Sequence, residues 1–345
     1  MTTATGFNGI IGQPTPVRQL RTFIRNGTLP HALLFIGDDG VGKKSAATAL
    51  AMACNCTTLA DSLDRSSHPD SIDACGQCSP CRKIAGDHHP DILHVAPISA
   101  IIRIAQIRSL LETLALRPNE ARQRVVIVSD AQAMNLEAGN ALLKVLEEPP
   151  EGTLFVLTAG QTFDLLPTIV SRCRQIRFCP LATDAIKRLL ARSHDAEEQR
   201  METAASLSAG SYTRAKLMMD SRWLNRRDWI IRVMEQMGDE SVSGDIRVWL
   251  AFAEMLAKNK ARVEESLGII TMWLRDMLVV RWSPRWVFNR DKIDLLTAAA
   301  RRVSHRQLLD QMEAVDAALS AMRSNTNLRL TMDAMVLRMA AAVNG

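Results

Sequence analysis

Short, predominantly apolar runs recur through the first half of the chain. They lie at residues 32–36, 92–95, 125–128, 154–157 and 176–178. Strands without polar alternation are typical of a parallel sheet whose two faces are both covered. Between the runs, apolar residues follow a helical spacing, as over 104–116 and 136–146. The first half therefore predicts an α/β domain built on a parallel sheet with helices on both faces.

The pattern changes after Pro180, where strand signals disappear and apolar residues recur at helical spacing. We place one domain boundary near residue 180 and another near residue 240. Every tryptophan lies in this helical half, and we expect the six rings to fill cores and helix contacts rather than to form a base-stacking platform. They are Trp223, Trp229, Trp249, Trp273, Trp282 and Trp286.

Length and charge narrow the class of protein. The 345 residues exceed one ordinary core, and at roughly 100–200 residues per domain they predict two or three domains. Aromatic residues make up only 4%, which favours helix over a large β-sandwich. The formal net charge of +5 is too mild to indicate nucleic-acid binding by itself. Basic segments at 222–232 and 275–292 are expected to be solvated helix faces.

No membrane or secretory segment is expected. No segment reaches the ~18 uninterrupted apolar residues that span a bilayer, and residues 1–12 lack the pattern of a secretory signal. We therefore expect a cytoplasmic protein with no membrane partner. Because thiols stay reduced in that compartment, the seven cysteines indicate a metal site or a packing role rather than disulfides.

A phosphate-binding loop is predicted directly after the first apolar run. Residues 37–43 fit the pattern Gly-x-x-x-x-Gly-Lys, and a helix over 45–54 follows. Backbone N–H groups of such a loop surround phosphate oxygens, and the lysine neutralises them. Asp130, after the run 125–128, lies where the Mg²⁺-side acid of such proteins is found. The candidate nucleotide-binding residues are Gly37, Gly40, Gly42, Lys43, Lys44, Ser45 and Asp130.

Two positions that ATP hydrolysis needs are altered. The residue after the loop lysine is normally Ser or Thr, whose hydroxyl binds Mg²⁺, and here it is Lys44. Ser45 comes one position later, about 100° around a helix, so it does not simply substitute. Ala131 occupies the position after the acid, where a glutamate usually orients the attacking water. We therefore expect no hydrolysis by this chain, and nucleotide binding stays open.

Three closely spaced cysteines, Cys75, Cys78 and Cys81, predict a metal site. The fourth ligand is Cys56 or Cys54, at the end of the helix that follows the phosphate loop. Four thiolates suit tetrahedral Zn²⁺ in a closed structural site, and a redox or unliganded role is the alternative. A ferredoxin-type iron–sulfur cluster would need a further cysteine soon after the third, and none follows. The remaining cysteines, expected to be small buried residues, are Cys173 and Cys179.

Several further motifs carry a resemblance to a known family. They are 29–35 (Leu-Pro-His-Ala-Leu-Leu-Phe), the Cys-x-x-Cys-x-x-Cys insertion, 89–91 (His-Pro-Asp), 140–150 (Asn-Ala-Leu-Leu-Lys-Val-Leu-Glu-Glu-Pro-Pro) and 171–173 (Ser-Arg-Cys). Together they resemble the clamp-loader AAA+ subunits of bacterial DNA polymerase III, which include the gamma/tau motors and the delta-prime stator. The resemblance covers residues 9–180 well and weakens beyond them.

The resemblance implies a fold of class α/β plus all-α. Residues 1–180 would form an AAA+ P-loop domain with a parallel sheet and a small zinc insertion at about 56–81. Residues 181–242 would form a helical lid, and residues 243–345 a helical collar for oligomerisation.

The resemblance also implies roles for particular side chains. Arg172 matches the family's Ser-Arg-Cys arginine finger, which reaches across an interface to a neighbour's γ-phosphate. Cys56 aligns better than Cys54 with the first zinc ligand of the family, because the family cysteine closes that helix. The structural zinc ligands implied in this way are Cys56, Cys75, Cys78 and Cys81.

Departures from the motor pattern favour delta-prime over gamma/tau. Motors carry Gly-Lys-Thr, Asp-Glu and a sensor arginine, and the corresponding residues here are Lys44, Ala131 and Thr213. The sensor threonine of the motors is not cleanly matched near Thr158. We therefore expect a stator subunit that helps load the sliding clamp onto primed DNA and has no ATPase activity of its own.

Two alternatives stand beside this interpretation. One is an active gamma/tau-like clamp-loader ATPase that tolerates Lys44. The other is a stand-alone zinc-containing DNA-binding AAA+ protein, which the lack of a concentrated basic stripe disfavours. The partners implied by the resemblance are the gamma/tau and delta subunits, the sliding clamp and, through the assembled complex, primer–template DNA. The place of action implied is the cytoplasm, at the replisome on the nucleoid.

Overall fold

The computed structural model describes residues 6–62, 68–193, 197–238, 245–323 and 326–344. The chain divides into two compact units. The first consists of Met1–Asp195 with Gly210–Thr213, and the second of Ala196–Ala209 with Arg214–Gly345. The division predicted between lid and collar, at 242/243, lies outside the described residues, and the three-domain organisation stays a prediction.

The first unit is an α/β structure. Strands β1–β5 are Ala32–Ile36, Ile92–Val95, Arg124–Val128, Thr153–Ala159 and Arg174–Arg177. Helices α1–α8 are Pro14–Asn26, Lys43–Asn55, Thr57–Ser62, Ser79–Ala85, Ile104–Leu114, Leu136–Glu147, Pro167–Val170 and Thr183–Ala191. Short 3-10 turns occupy Phe7–Gly9, Pro69–Ser71, Ala131–Ala133 and Thr162–Asp164.

The strands form one parallel sheet in the order β2-β3-β4-β1-β5. Ala32 of β1 lies opposite Phe155 of β4, and Leu33 lies opposite Arg174 of β5. Parallel strands place all their carboxyl ends at the same edge, so the loops that follow β1, β3 and β4 lie close together. The predicted fold class of a parallel α/β sheet followed by helices is confirmed.

Both faces of the three central strands, β3, β4 and β1, are buried, which explains why these strands show no polar alternation. Leu33 and Phe35 pack in a cluster that includes Leu50 of α2. Leu34 packs on the opposite face in a cluster that includes Leu142 of α6. Because β1 has helices on each side, all five of its residues are apolar and buried.

The predicted strands are confirmed, and β3, β4 and β5 begin earlier than their apolar runs. The added residues are Arg124, Thr153 and Arg174. They pair with the neighbouring strands through their backbones, so their polar side chains do not prevent them from joining the sheet. The Arg124 guanidinium is buried and donates to the Leu116 carbonyl oxygen at 2.9 Å. The helix predicted over 45–54 begins two residues earlier, because Gly42 adopts a left-handed conformation immediately before it.

The second unit is helical. Helices α9–α16 are Glu198–Leu207, Tyr212–Met218, Ser221–Met237, Ile246–Ala257, Val263–Val279, Ile293–Arg302, His305–Arg323 and Leu328–Asn344, of which α10 begins in the first unit. Turns of 3-10 type occupy Lys260–Arg262, Pro284–Trp286 and Arg290–Lys292. Helix α16 packs against α12 and α15, and α13 packs against α15 and α11. Among the described helices, none combines the length and the apolar character needed to cross a membrane.

The tryptophans divide into two groups. Trp223, Trp249 and Trp273 are buried, as predicted for core residues. Trp229 is half-buried, and the centroid of its ring lies 5.8 Å from that of Phe252, so it also serves a helix contact. The prediction is wrong for Trp282 and Trp286, which are 79% and 71% exposed. Both lie in the turn after α13 rather than on a packed helix face.

Candidate functional site

The phosphate loop lies at the carboxyl end of β1, which is flanked by β4 and β5. Open α/β sheets bind ligands at such a point, where the order of the strands reverses. Gly37 has φ of +151° and Gly40 has φ of +75°, values that favour glycine. A Cβ atom on Gly37 would lie 2.5 Å from the Phe178 carbonyl oxygen. Backbone geometry and close packing therefore require these glycines whether or not a phosphate binds.

The loop lysine is bound by the loop itself. Lys43 Nζ donates to the carbonyl oxygens of Gly37 at 2.5 Å and Asp38 at 2.7 Å. Burial lowers the pKa of Lys43, and the carboxylates of Asp39, Asp130 and Asp38 oppose that shift. Two of the three ammonium donors are thus satisfied without a phosphate.

The two altered positions lie on the segments that follow β1 and β3. Lys44 and Ser45 are both exposed at the start of α2. The position directly after the loop lysine therefore carries an ammonium group, and the hydroxyl comes one position later. Asp130 has a positive φ of 52°, and its amide donates to Thr158 Oγ1 at 3.0 Å. Ala131 is buried directly beside it. The site therefore has Asp130 at the expected acid position and no carboxylate at the next position.

A later segment of the first unit covers the phosphate loop. The Tyr212 amide donates to the Gly40 carbonyl oxygen at 3.0 Å. A Cβ atom on Gly40 would lie 2.5 Å from Ser211 Oγ and 2.7 Å from the Thr213 nitrogen. The loop is therefore packed against residues 211–213, which the sequence pattern did not connect with it.

Gln13 holds the loop from the opposite side. Its Nε2 donates to the Val41 carbonyl oxygen at 3.1 Å and to the Cys179 carbonyl oxygen at 2.6 Å. Its Oε1 accepts from the Cys179 amide at 3.2 Å. No local sequence pattern marks this buried glutamine, because its partners lie 28 and 166 positions away.

Arg172 lies between α7 and β5, where two of the family-like motifs meet. Its Nη2 is 2.5 Å from Oε1 of Glu147, which belongs to the 140–150 motif. Its Nη1 donates to the Thr168 carbonyl oxygen at 2.8 Å. The side chain is 34% exposed, and surface ion pairs are worth at most about 1 kcal/mol. Another anion can therefore replace Glu147 at little cost.

The four predicted metal-site cysteines come together. The sulfur atoms of Cys56, Cys75, Cys78 and Cys81 all lie within 4.8 Å of one another, and those of Cys56 and Cys78 are 4.0 Å apart. Tetrahedral zinc with bonds of about 2.3 Å would separate its sulfurs by about 3.8 Å. The cluster could therefore bind a metal ion. Cys54 is not part of it, and burial raises the pKa of its thiol to about 12.

Backbone N–H groups favour the thiolate form of Cys75, whereas burial raises the pKa values of Cys56 and Cys81. Cys75 Sγ accepts from the amides of Gln77 at 3.4 Å and Cys78 at 3.3 Å. A hydrogen bond with the Thr58 side chain, followed by these two amides, lowers the pKa of Cys75 to about 6. Metal binding requires deprotonated sulfur, so the turn is already arranged for a ligand thiolate.

Asp73 ties the cysteine region to the beginning of the first unit. Its carboxylate accepts from the amides of Phe7 at 2.6 Å and Asn8 at 2.8 Å. Arg21 of α1 lies 3.9 Å from the same carboxylate. The contact was not predicted, because no local motif marks an aspartate whose partners lie more than 50 positions away.

The two cysteines that lie far from the cluster in sequence differ. Cys173 is buried as predicted, and burial raises the pKa of its thiol to about 11. Cys179 is exposed, so the prediction of a buried residue is wrong. It follows the last strand, and only its backbone is held, by the hydrogen bonds with Gln13.

Comparison with known proteins follows the same division of the chain. Residues 12–182 match the family described as DNA polymerase III, delta subunit. Residues 229–340 match the family described as DNA polymerase III, delta subunit, C terminal. The delta′ subunit of DNA polymerase III from Bacillus subtilis is 29% identical over 334 residues, which cover 94% of this chain and 95% of that protein. The chain belongs to the delta-prime family of clamp-loader subunits.

Other relatives match over shorter stretches. The delta′ subunit of Pseudomonas aeruginosa is 36% identical over 185 residues, covering 52% of this chain and 53% of that protein. The tau subunit of Bacillus subtilis is 25% identical over 312 residues, covering 84% of this chain and 53% of that protein. The chain thus spans about half the length of these two relatives.

Solved structures with a similar fold include a gamma subunit-related protein from Thermotoga maritima. It shares 16% identity with a TM-score of 0.41, over 94% of this chain and 99% of that one. The clamp loader delta protein of Bacillus subtilis shares 12% identity with a TM-score of 0.31, over the same shares of the two chains. At TM-scores below 0.5 these matches carry no weight in assigning the delta-prime family.

Proposed function

We propose that this delta-prime family member is the stator of a clamp loader and serves the ATPase site of its neighbour. In this role it would hold one end of a ring of gamma/tau and delta subunits and help load the sliding clamp onto primer–template DNA. It would act in the cytoplasm, at the replisome. The observation that carries the proposal is the contrast between its own phosphate loop and its exposed arginine loop.

The chain's own loop lacks what hydrolysis requires. Lys43 is bound by the loop carbonyls, and Lys44 replaces the hydroxyl residue that would bind Mg²⁺. Ala131 offers no carboxylate to orient a water molecule. A phosphate that entered the loop would have to displace the Gly37 and Asp38 carbonyls from the ammonium. The loop therefore supports a structural role more than a catalytic one.

The arginine loop has the opposite character. Arg172 is partly exposed and is held by one surface carboxylate, Glu147. The γ-phosphate of a nucleotide bound to a neighbouring subunit would carry more negative charge than this carboxylate. It can therefore displace Glu147 as the ion-pair partner of Arg172. An arginine supplied in trans stabilises the charge that develops during phosphoryl transfer. We propose that role for Arg172.

We further propose that the cysteine cluster holds structural Zn²⁺. Four thiolates suit a closed zinc site, and the sulfur atoms lie within 4.8 Å of one another, close to the spacing in a zinc tetrahedron. The N–H donors to Cys75 support the charge that a ligand thiolate carries. The metal would fix α4 to the end of α2 and has no part in the ATPase reaction.

The proposal is tested in the reconstituted clamp loader by its DNA- and clamp-stimulated ATPase. Arg172→Ala in this chain should lower turnover by roughly tenfold or more, because a neighbouring site loses its trans arginine. Lys43→Ala should leave turnover unchanged, because this chain's own loop does not hydrolyse ATP. Size-exclusion chromatography of each variant complex controls for assembly.

Loss of turnover with Lys43→Ala in an intact complex would instead support the active gamma/tau-like ATPase. Unchanged turnover with Arg172→Ala would overturn the trans role. Glu147→Gln is the matched control, since it removes only the carboxylate charge that pairs with Arg172. It should leave the ATPase within about twofold, because an exposed ion pair contributes little.

A further inference from the structure

Two indole rings of the second unit lie open to solvent in one short turn. Trp282 is 79% exposed and Trp286 is 71% exposed, whereas Trp273, nine positions before Trp282 in α13, is buried. The two exposed tryptophans are four positions apart, so their Cα atoms lie within about 14 Å of each other. Large aromatic side chains are normally buried, so two adjacent exposed indoles indicate a binding surface.

The turn that carries these rings is held firmly by its backbone. Arg275 Nη1 donates to the Trp286 carbonyl oxygen at 2.6 Å. The fully buried Asp276 accepts from the amides of Phe288 and Asn289 at 3.1 and 2.8 Å. Trp282 has a ring neighbour, His305, at 5.9 Å between centroids. The indoles are therefore displayed on an ordered segment, which lowers the entropic cost of binding.

Positive charge is concentrated around the same turn. Residues 281–306 contain seven Arg or Lys and two Asp, an excess of five that equals the formal net charge of the whole chain. Of the two acids, Asp291 is paired with Arg227. The sequence pattern predicts a solvated helix face for the basic segment 275–292, and the helix part of this prediction is wrong after α13, because most of the segment's charge lies on the turn between α13 and α14.

Several of these arginines have no carboxylate to neutralise them. Arg281 and Arg290 donate to backbone carbonyl oxygens. Arg285 and Arg301 are exposed, and neither has an ion-pair partner among the residues that the structure describes. Backbone carbonyls leave the net charge unchanged, so the surface retains a positive potential beside the two rings.

We propose that this surface, formed by residues 281–290 with Arg301 and His305, binds single-stranded DNA. Arginines attract the phosphates, and the indoles offer flat faces on which unpaired bases stack. In duplex DNA the bases are already stacked on one another, so the indoles would have no free base to contact. An acidic peptide could bind the arginines but has no flat base to stack on the indoles. The choice of DNA over RNA rests on the proposed clamp-loader function, since a primed template carries a single-stranded stretch.

The test is fluorescence anisotropy of labelled dT20 with the full-length chain at low salt. We expect binding to weaken about tenfold for each tryptophan removed in Trp282→Ala and Trp286→Ala. Trp282→Phe and Trp286→Phe should recover much of the affinity, because phenylalanine also stacks. Arg285→Ala with Arg301→Ala should reduce the slope of log K against log salt by about 1.4, corresponding to two phosphate contacts.

Two substitutions provide matched controls. Phe163→Ala removes an aromatic ring that is 82% exposed in the first unit, and Arg247→Ala removes an exposed arginine in the second. Both should leave dT20 affinity unchanged, and thermal melting of every variant verifies folding. An abasic oligonucleotide of equal length should bind more weakly than dT20, because it has phosphates and no bases.

The proposal is overturned if dT20 does not bind, or if the double tryptophan variant binds it as the wild type does. Loss of binding to another clamp-loader subunit in that variant, without any dT20 binding, would assign the surface to a protein partner instead. None of these outcomes depends on the ATPase of Arg172→Ala or Lys43→Ala. Failure of this inference is therefore distinguishable from failure of the proposed function.

Discussion

At the scale of single residues, buried carboxylates decide how loops are held. Asp91 of the His-Pro-Asp motif is 1% exposed and accepts from the amides of Asn119, Glu120 and Ala121, each at 2.8 Å. Burial alone would raise the pKa of Asp91, but these three donors and the nearby Arg124 outweigh it and hold the pKa below its ordinary value. A residue that marks the family by sequence thus serves to fix the loop before β3.

We expect Asp91→Asn to lower the free energy of unfolding by about 2–4 kcal/mol at pH 7. The neutral amide accepts fewer of the three N–H donors and leaves the buried Arg124 without its counter-charge. Urea denaturation measures the change. Glu112→Gln, an exposed acid-to-amide change in α5, should shift stability by less than about 0.5 kcal/mol.

The difference in stability between the wild type and Asp91→Asn should depend on pH. Since the native pKa of Asp91 is depressed, its stabilisation is complete above the unfolded pKa of about 3.9 and is lost as pH falls through the lower native value. The stability gap between wild type and Asp91→Asn should therefore narrow in this acid range. A gap that stays constant throughout it would contradict the role given to the carboxylate.

The choice between two neighbouring cysteines is also made at the residue scale. We expect Cys56→Ser to reduce bound zinc from about one ion per chain to near zero, because three thiolates remain where four are needed. Cys54→Ser, two positions away, should keep the metal, since its thiol lies outside the cluster. Elemental analysis of the purified chains measures both. Equal loss in the two variants would contradict the ligand set.

At the scale of elements, the phosphate loop depends on contacts from outside the β1–α2 unit. Gln13 binds the Val41 and Cys179 carbonyls, and residues 211–213 pack on Gly40. A loop with this sequence is therefore completed by segments that precede and follow the sheet. The glycine pattern, typical of nucleotide binding, here also satisfies packing.

Alanine substitutions at two glycines can distinguish the cost of a left-handed backbone from the cost of a steric clash. Gly40 has φ of +75° and would place a Cβ atom 2.5 Å from Ser211 Oγ, whereas Gly27 has φ of +64° and open space. Gly27→Ala should cost about 1 kcal/mol, from the left-handed conformation alone. Gly40→Ala should cost about 1–3 kcal/mol more, because the segment 211–213 must move as well. Thermal denaturation compares them, and equal losses would show that the contact is unimportant.

At the scale of the whole molecule, the chain has two cores of different construction. The first is a sheet with apolar clusters on both faces, and the second is a set of helices around residues such as Leu267 and Trp273. Each unit has its own buried polar contacts, such as Asp91 with Arg124 in the first and Asp276 with Asn289 in the second. Each core can therefore respond separately to a local change.

We expect calorimetry to resolve two unfolding transitions, as is common in chains with more than one core. Leu50→Ala should destabilise the first unit and Leu267→Ala the second, each by about 2–5 kcal/mol, because both leucines are fully buried. Each substitution should move a different transition. A single transition that both variants lower equally would mean that the units unfold together.

The sequence by itself determined the elements and the chemistry that local patterns encode. Fully buried strands must be apolar, so the runs at 32–36 and 125–128 marked β1 and β3 without further information. Spacing alone identified the phosphate loop and three of the four clustered cysteines. The resemblance to a known family then selected Cys56, which the structure places in the cluster.

Tertiary structure decided what depends on distant segments meeting. The contacts of Gln13 with Val41 and of Asp73 with Phe7 join residues far apart in the chain, so no local pattern encodes them. Trp273 and Trp286 lie thirteen positions apart in the sequence, yet one is buried and the other is exposed. Exposure depends on which helices pack over a ring. Hydrophobic character sets only the free-energy gain available from burial, and the fold decides where that gain is realised.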